Sequence, residues 1–237
     1  MDTIAQSLKL ALDLIAQFDA RLLAIVGLSL RVSASACVIA ALLGLLAGAF
    51  LAAVKFPGRR VAVWFVNTML ALPPVVVGLV VYLMLSRSGP LGQLGILFTP
   101  AAMVVAQTVL LLPLVAALAR RLVVDALADG GEQMRSLGAG PVTAALLMLL
   151  HQRHGVLTVL LTAFGRAVAE VGAVMIVGGN IDGATRVMTT AIALETSKGD
   201  LPLALALGIV LLSVVGLVNL VVALLQARGA DTREALA

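Results

Sequence analysis

Two residues of opposite charge, Arg166 and Glu170, lie four positions apart in the apolar stretch of residues 156–178. At this spacing two side chains share one face of a helix and can form an ion pair. A charge at the centre of a membrane helix costs on the order of 3 kcal/mol, so we expect both side chains to turn inward and pair. The pair either orders a bundle beside a pathway or dimer seam, or is purely structural. A paired arginine offers less charge, so we do not expect Arg166 to bind an anion.

A second candidate is the pair Pro73 and Pro74, in the middle of another apolar stretch. Adjacent prolines remove backbone donors and interrupt a helix. Irregular backbone at that depth is tolerated where protein shields it or where it lines a water-filled cavity. We therefore expect an apolar gate beside a pathway, with a packing kink as the alternative. The gate candidates are Leu72, Pro73, Pro74, Val75, Val76 and Val77.

The sequence gives little support for a metal site, a hydrolase or a nucleotide-binding site. His151 and His154 form H-x-x-H without an acidic partner, so we predict no metal site. The sequence contains no H-E-x-x-H, and we find no nucleophile and base in a pattern typical of a hydrolase. It also lacks G-x-x-x-x-G-K-[ST], the loop that holds nucleotide phosphates. We therefore expect a non-catalytic chain without a cofactor of its own.

The elements that must position these residues are membrane helices. Of the 237 residues, 62% are hydrophobic and 12% are charged, a balance that excludes an ordinary soluble domain. Apolar runs of about 20 residues are long enough to cross a bilayer, and the ten-residue alternation of a β-barrel is absent. We predict an all-α integral membrane protein with about five spans, at residues 31–54 (extended by 22–30 in one alternative), 61–85, 97–118, 156–178 and 201–225.

The ends of the chain are predicted to differ from this bundle. Residues 1–21 carry apolar side chains on one helical face and lack a basic start, which favours an interfacial amphipathic helix over a signal peptide. We assign residues 22–227 to the transmembrane domain, with a cytoplasmic loop at 120–154. Residues 228–237 form a short cytoplasmic tail.

The basic residues orient the spans. Lys55, Arg59, Arg60, Arg120 and Arg121 lie close to span ends, and placing them inside satisfies the positive-inside rule. This arrangement puts the N-terminus outside and the C-terminus in the cytoplasm. The turn-rich residues around Asn180 then face outward.

The cytoplasmic loop contains a sharply punctuated stretch, GGEQMRSLGAGP, at residues 130–141. Glycines 130 and 131 are predicted to end the preceding helix, Gly138 to end a short helix from Glu132 to Leu137, and Pro141 to begin the next. Glu132 and Arg135 are spaced for a weak pair. Such a projecting helix suits docking into a cleft of a soluble partner, although an ordinary loop is the alternative.

This stretch resembles the EAA loop of ABC importer permeases, whose pattern is E-A-A, three residues, G, nine residues, I-x-L-P. Glu132 and Gly138 have the matching separation, while Gln133-Met134 replace the two alanines and His151 replaces the final proline. The segments NTMLALPPVVVGLVVYLMLSRSGPLG and AFGRAVAEVGAVMIVGGNIDGATRVMTTAIALETSKGD resemble oxyanion permeases of the molybdate, sulfate and tungstate group. TRVMTTAIALETSKGD is most similar to tungstate permeases.

The resemblance implies the type I ABC importer fold in a bacterial or archaeal cell membrane. It implies a homodimer with two ATP-binding subunits, which carry the ATP and Mg²⁺, and an external solute-binding protein that delivers an oxyanion. Tungstate is expected, molybdate or sulfate is the alternative, and a secondary transporter or channel is the alternative of another class. The loop residues that would contact the ATP-binding subunit are Glu132, Gln133, Met134, Arg135, Ser136, Leu137, Gly138, Ala139 and Gly140. Those that would receive the solute-binding protein are Gly179, Asn180, Asp182 and Arg186.

Overall fold

The structure is a computed structural model that describes residues 7, 9–13, 16 and 20–234, with side chains described through residue 222. Most of the described chain is helical, as predicted. The helices are α1 (Ala20–Ala53), α2 (Arg59–Met69), α3 (Pro74–Leu85), α4 (Pro100–Ser136), α5 (Pro141–His151), α6 (Arg153–Val168), α7 (Gly172–Gly178), α8 (Met188–Lys198) and α9 (Leu201–Glu234). The interfacial helix predicted for residues 1–21 lies largely outside the described residues. From residue 228 to residue 234 the predicted tail continues α9.

The described helices account for three to five membrane spans. Helices α1 and α4 and residues 201–222 of α9 are each long and apolar enough to cross a membrane. Two further spans result if α2 with α3 and α5 with α6 each count as one bent span, with bends of 103° and 78°. Residues 22–30, the alternative extension of the first span, continue its helix, because α1 begins at Ala20.

By their internal contacts the residues form two compact units, residues 31–179 and residues 1–30 with 180–237. In the first unit, α1 and α4 pack closely because small residues recur at every fourth position of α1. A Cβ built on Gly44 would lie 2.8 Å from Val115 Cβ, and one on Gly48 would lie 2.5 Å from the Ala116 carbonyl oxygen. Small residues at this spacing allow two membrane helices to approach closely. The series is Ala36, Ala40, Gly44 and Gly48.

The predicted fourth span, residues 156–178, is not one helix. Helix α6 ends at Val168, and α7 begins only at Gly172. The Glu170 carboxylate accepts a hydrogen bond from the backbone N of Ala173 at 3.1 Å, in the first turn of α7. From α4, Gln107 Nε2 donates to the carbonyl of Ala167 at 2.9 Å. The continuous span was wrong because these two polar side chains satisfy the backbone groups that an interrupted helix leaves open.

Gly130 and Gly131, at the start of the stretch 130–141, do not end a helix as predicted. Helix α4 runs through Gly130 and Gly131 to Ser136, where a separate helix had been predicted to begin at Glu132. A Cβ on Gly130 would lie 3.3 Å from Met148 Cε of α5, so this part of α4 lies against another helix. A mid-helix glycine costs about 1 kcal/mol, which such packing outweighs. The predicted loop 120–154 is therefore mostly helix, interrupted by a turn and a bend.

The second unit joins the beginning of α1 to α8 and α9. Its apolar cluster includes Leu22, Met188, Leu207 and Val210. Ser29 Oγ accepts a hydrogen bond from the backbone N of Met188 at 2.8 Å and donates to the carbonyl of Ile25 at 2.9 Å. A single hydroxyl thus fixes the first turn of α8 against α1.

Candidate functional site

The turn between α4 and α5 is a well-defined helix ending. We call residues 132–140 the α4–α5 turn segment. Gly138 has a φ of 81°, its N–H donates to the Arg135 carbonyl at 3.0 Å, and the N–H of Ala139 donates to the Met134 carbonyl at 3.0 Å. These two bonds form a Schellman motif, which uses a left-handed residue to close a helix. Pro141 occupies the first turn of α5, so the predicted exit from the segment is confirmed.

The surface of the α4–α5 turn segment combines an apolar tip with charged flanks. Leu137 is 74% exposed, and Glu132 on the preceding turn is also exposed. The predicted pair between Glu132 and Arg135 is not formed, since Arg135 Nε donates to the Gly131 carbonyl at 3.2 Å instead. That bond directs the guanidinium along α4 and leaves the carboxylate of Glu132 at the surface.

A basic cavity of about 510 Å³ lies behind the segment. Lys55 and Arg135 contribute the charge, and the end of α1 with parts of α4 and α5 contributes the walls. Arg59 closes the end of α1 by donating to the carbonyls of Leu51 at 2.8 Å and Ala52 at 3.0 Å. An arginine that caps a helix C-terminus satisfies open carbonyls and complements the helix dipole. The sequence analysis counted Arg59 only as a topology signal and missed this second role.

The proline candidates lie at the bend between α2 and α3. Pro73 has extended backbone, and Pro74 is the first residue of α3. The valines differ in their surroundings, because Val75 and Val76 are about half exposed and Val77 is buried. Of the six gate candidates, Leu72 and Pro74 are partly buried and Pro73 is exposed. The bend therefore presents two adjacent valines, rather than three, on its open side.

This bend lies against the break between α6 and α7. A Cβ on Gly78 of α3 would lie 2.7 Å from Ala173 Cα of α7. A Cβ on Gly172 would lie 2.9 Å from Val75 Cγ2 and 3.6 Å from Glu170 Oε1. The bend between α2 and α3 and the break between α6 and α7, which belong to two different predicted spans, thus meet in the same part of the first unit.

The structure forms the predicted ion pair of Arg166 and Glu170, with a distance of 3.4 Å between Arg166 Nη1 and Glu170 Oε2. Only half of the expected geometry is present. The Glu170 side chain is 4% exposed, whereas that of Arg166 is 47% exposed. Within the single chain only Glu170 turns inward, because the helix break draws its carboxylate toward the start of α7 and leaves the guanidinium of Arg166 at the surface of α6.

The turn-rich loop after α7 is held by charges of its own unit. Asp182 pairs with Arg21 and, through Oδ1, with Arg186 Nη1 at 3.0 Å. The hydrogen bond from Arg21, above all, holds the pKa of the Asp182 carboxyl below its usual range, and the positive charge of Arg186 adds to this. Asn180 accepts from Arg186 Nε at 3.4 Å. Gly179 ends α7 with a left-handed φ of 71°. The charge of Arg186 is therefore shared with a carboxylate of the same loop.

Gln107 is a residue that the sequence analysis did not single out. It is buried in α4, its Nε2 donates to the end of α6, and its buried Oε1 has no hydrogen-bond partner among the residues that the structure describes. A glutamine within an otherwise apolar stretch was the available signal, since polar side chains in membrane helices face protein or cavities.

Residues 40–229 match the family model described as binding-protein-dependent transport system inner membrane component. This chain belongs to that family. The permease is 40% identical over 226 residues to a tungstate uptake system permease protein of Peptoclostridium acidaminophilum, covering 95% of this chain and 99% of the relative. It is 42% identical over 203 residues to a probable anion ABC transporter permease protein of Haloferax volcanii, covering 84% and 88%. It is 40% identical over 167 residues to a tungstate uptake permease of Campylobacter jejuni, covering 70% of each.

Relatives named for molybdenum or sulfate transport are more distant, at 28% to 34% identity. The fold predicted from the resemblance is confirmed by the family match and the helical structure. The permease is thus a multi-pass inner membrane component of a transport system. Its family implies partners that bind ATP and partners that bind the solute.

Proposed function

We propose that this permease is the membrane-spanning subunit of an ATP-driven importer that moves an oxyanion, with tungstate as substrate, from an external solute-binding protein into the cytoplasm. The observation that carries the proposal is the 40% identity to a tungstate uptake permease across 95% of this chain and 99% of the relative. The greater distance of the molybdenum and sulfate relatives supports tungstate over those anions.

ATP hydrolysis belongs to a separate subunit in this proposal, because the chain lacks the phosphate-binding G-x-x-x-x-G-K-[ST] motif. The α4–α5 turn segment supplies the docking surface for that subunit. Its exposed Leu137 and the left-handed turn at Gly138 are the features that support this assignment. ATP and Mg²⁺ are cofactors of the partner, and this chain carries none.

The orientation follows from the basic residues and the docking role. With the N-terminus outside and the C-terminus in the cytoplasm, Lys55, Arg59 and the α4–α5 turn segment lie on the side where ATP is available. The loop with Asn180, Asp182 and Arg186 faces outward and receives the solute-binding protein.

The pathway lies between two copies of the permease. Moving a bare dianion through hydrocarbon would cost on the order of tens of kcal/mol, so the anion must travel in a hydrated cleft. ATP binding by the partners draws the two turn segments together and opens the cleft outward, and hydrolysis returns it to the inward-facing state. The bend at Pro73 and Pro74, with Val75 and Val76 on its open side, supplies the gate.

The substrate is tested by the metal content of cells that lack this gene, grown with trace tungstate and molybdate together. Intracellular tungsten and molybdenum are measured by elemental mass spectrometry, with the restored gene as control. We expect loss of tungsten alone. Loss of both metals would indicate a broader oxyanion permease, and no change in either would overturn the choice of substrate and make sulfate the next anion to measure.

The class of transporter is tested in vesicles that contain the full complex. Tungstate uptake should require ATP and the solute-binding protein. Uptake that continues after ATP is replaced by a non-hydrolysable analogue, driven by an ion gradient or by the tungstate gradient alone, would identify a secondary transporter or a channel and contradict the proposal.

A further inference from the structure

One face of α6 carries a row of polar side chains. The row consists of every fourth residue, His154, Thr158, Thr162 and Arg166, and all four are exposed. Residues at this spacing form a continuous ridge on a helix surface. An adjoining face, with Val159, Ala163 and Ala167, is buried in the core of the first unit. Helix α6 therefore has a packed apolar side and an open polar side.

The open side of α6 is unsuited to lipid. Arg166 lies in the last turn of α6, beside the break before α7, and charged residues within membrane segments almost always face a protein interior or a water-filled cavity. Arg166 has 47% of its side chain exposed in the single chain. The exposed part of the row must therefore be covered by water or by a second copy rather than by hydrocarbon.

The two threonines have hydroxyls that can exchange partners. Thr158 Oγ1 donates to the His154 carbonyl at 3.1 Å, and Thr162 Oγ1 donates to the Thr158 carbonyl at 2.9 Å. These carbonyls are also acceptors for backbone N–H groups within the helix, so a hydroxyl that turns away leaves no open acceptor. Each threonine can thus donate to a passing anion at low cost.

Arg166 retains donors for an anion even though it is paired. Its Nη1 lies 3.4 Å from Glu170 Oε2, which is longer than a well-formed charge-assisted hydrogen bond. The other carboxylate oxygen, Oε1, accepts from the backbone N of Ala173. Since the carboxylate also serves α7, and since a guanidinium has five N–H donors, the exposed side of Arg166 is available for a tetrahedral oxyanion.

We propose that Arg166 and Thr162 form a binding station for the transported oxyanion within the membrane, and that Thr158 and His154 line its way to the cytoplasm. This inference rests on the proposed function. It revises the expectation from the sequence, in which the pair with Glu170 removed Arg166 from contact with the anion. The occupant is a divalent tetrahedral oxyanion in the cleft between two copies, each of which contributes one row.

Water access to the row is tested by single cysteines in a Cys37→Ala background, since Cys37 is the only cysteine. Thr158→Cys and Thr162→Cys are compared with Leu161→Cys, the neighbour of Thr162 at the same depth. Vesicles with the full complex are treated with a charged methanethiosulfonate. The row cysteines should react at least about tenfold faster than Leu161→Cys, because a desolvated thiol forms little thiolate. Tungstate should slow the reaction at Thr162→Cys.

Equal reaction rates at Thr162→Cys and Leu161→Cys would overturn the inference. If Thr162→Cys reacts fast but tungstate does not slow the reaction, the proposal that Arg166 and Thr162 bind the anion is wrong. These outcomes are separate from failure of the proposed function. That failure would be the absence of ATP-dependent accumulation of tungstate, molybdate or sulfate by the wild-type complex, and labelling would still report whether the row contacts water.

The role of Arg166 is separated from its ion pair by three variants. Arg166→Gln with Glu170→Gln keeps the site neutral and should raise the KM for tungstate uptake at least about tenfold, because a hydrogen bond to a charged group contributes that much. Glu170→Gln alone keeps the arginine and the acceptor for Ala173, and its KM should not rise. Arg166→Lys should restore part of the loss in the Glu170→Gln background. An equal rise of KM in Glu170→Gln and in the double variant would show that the pair is only structural.

Discussion

The contact between α1 and α4 and the turn between α4 and α5 both depend on glycine, but for different reasons. At the helix contact a Cβ on Gly48 would lie 2.5 Å from a backbone oxygen, so the glycine provides space. At the turn nothing lies within 4 Å of a Cβ on Gly138, whose φ is 81°, so the glycine provides a conformation. The first region holds the bundle together, and in the proposed function the second presents a surface to the ATP-binding subunit. Substitutions should therefore separate stability from coupling.

The largest effect is expected for Gly48→Leu. The new side chain meets the backbone of α4 at Ala116, which cannot move aside as a side chain can, and overpacking of this kind costs about 3 kcal/mol or more. Purified protein in detergent should show a large fall in melting temperature or fail to yield a single species. Gly27→Leu in the same helix is the control, because a Cβ there has nothing within 4 Å. Similar melting of both variants would contradict the packing role of Gly48.

A smaller effect on stability, with a large effect on transport, is expected for Gly138→Trp. The left-handed conformation costs an ordinary residue about 1–2 kcal/mol, and the indole occupies the docking surface beside Leu137. The variant should insert and melt nearly as the parent does, while ATP hydrolysis becomes uncoupled from tungstate uptake. Gly138→Ala carries the same backbone strain without the bulk and should remain better coupled. Normal uptake by Gly138→Trp would contradict the proposal that the α4–α5 turn segment contacts the ATP-binding subunit.

A modest gain is expected for Gly130→Ala. Because α4 is continuous there, alanine should stabilise the helix by about 0.5–1 kcal/mol. The nearest atom to the new methyl group is Met148 Cε at 3.3 Å, the flexible end of a side chain. Thermal melting of the purified variant measures the effect. A clear fall in stability would mean that the contact with Met148 leaves no room for a methyl group at this position.

The smallest effect is expected from a change of pH that protonates Asp182. Its folded-state pKa is lowered, chiefly by the hydrogen bond from Arg21. The stabilisation is therefore present above the ordinary aspartate pKa of about 3.9 and is lost as pH falls through the lower folded value. Melting temperatures between pH 5 and pH 8 should not change through this group. Asp182→Asn should remove the part of the acid-induced fall in melting temperature that comes from this carboxyl. If the variant and the parent fall equally on acidification, the pair of Asp182 and Arg21 is not the cause.

The sequence predicted the helical membrane fold, the bend at Pro73 and Pro74, and the pairing of Arg166 with Glu170, because each depends on local pattern or spacing. It missed the continuity of α4 through Gly130 and Gly131, because the contact with Met148 comes from a helix that follows later in the chain. It also missed the break after Val168. That break depends on Gln107, which reaches across from α4 to the carbonyl of Ala167, 60 residues further along the chain. It also depends on the Glu170 carboxylate, which accepts from the backbone N of Ala173 in the first turn of α7.

Because α4 is long, a small tilt of the helix moves the α4–α5 turn segment a long way. Pro113 lies near the contact of Val115 and Ala116 with α1, and from there to Ser136 the helix extends about 35 Å. If the packed contact is the pivot, a tilt of about 10° moves the turn by about 6 Å, while the shorter arm toward Pro100 moves less and in the opposite direction. A large displacement of the turn therefore becomes a smaller displacement at the other end of the helix.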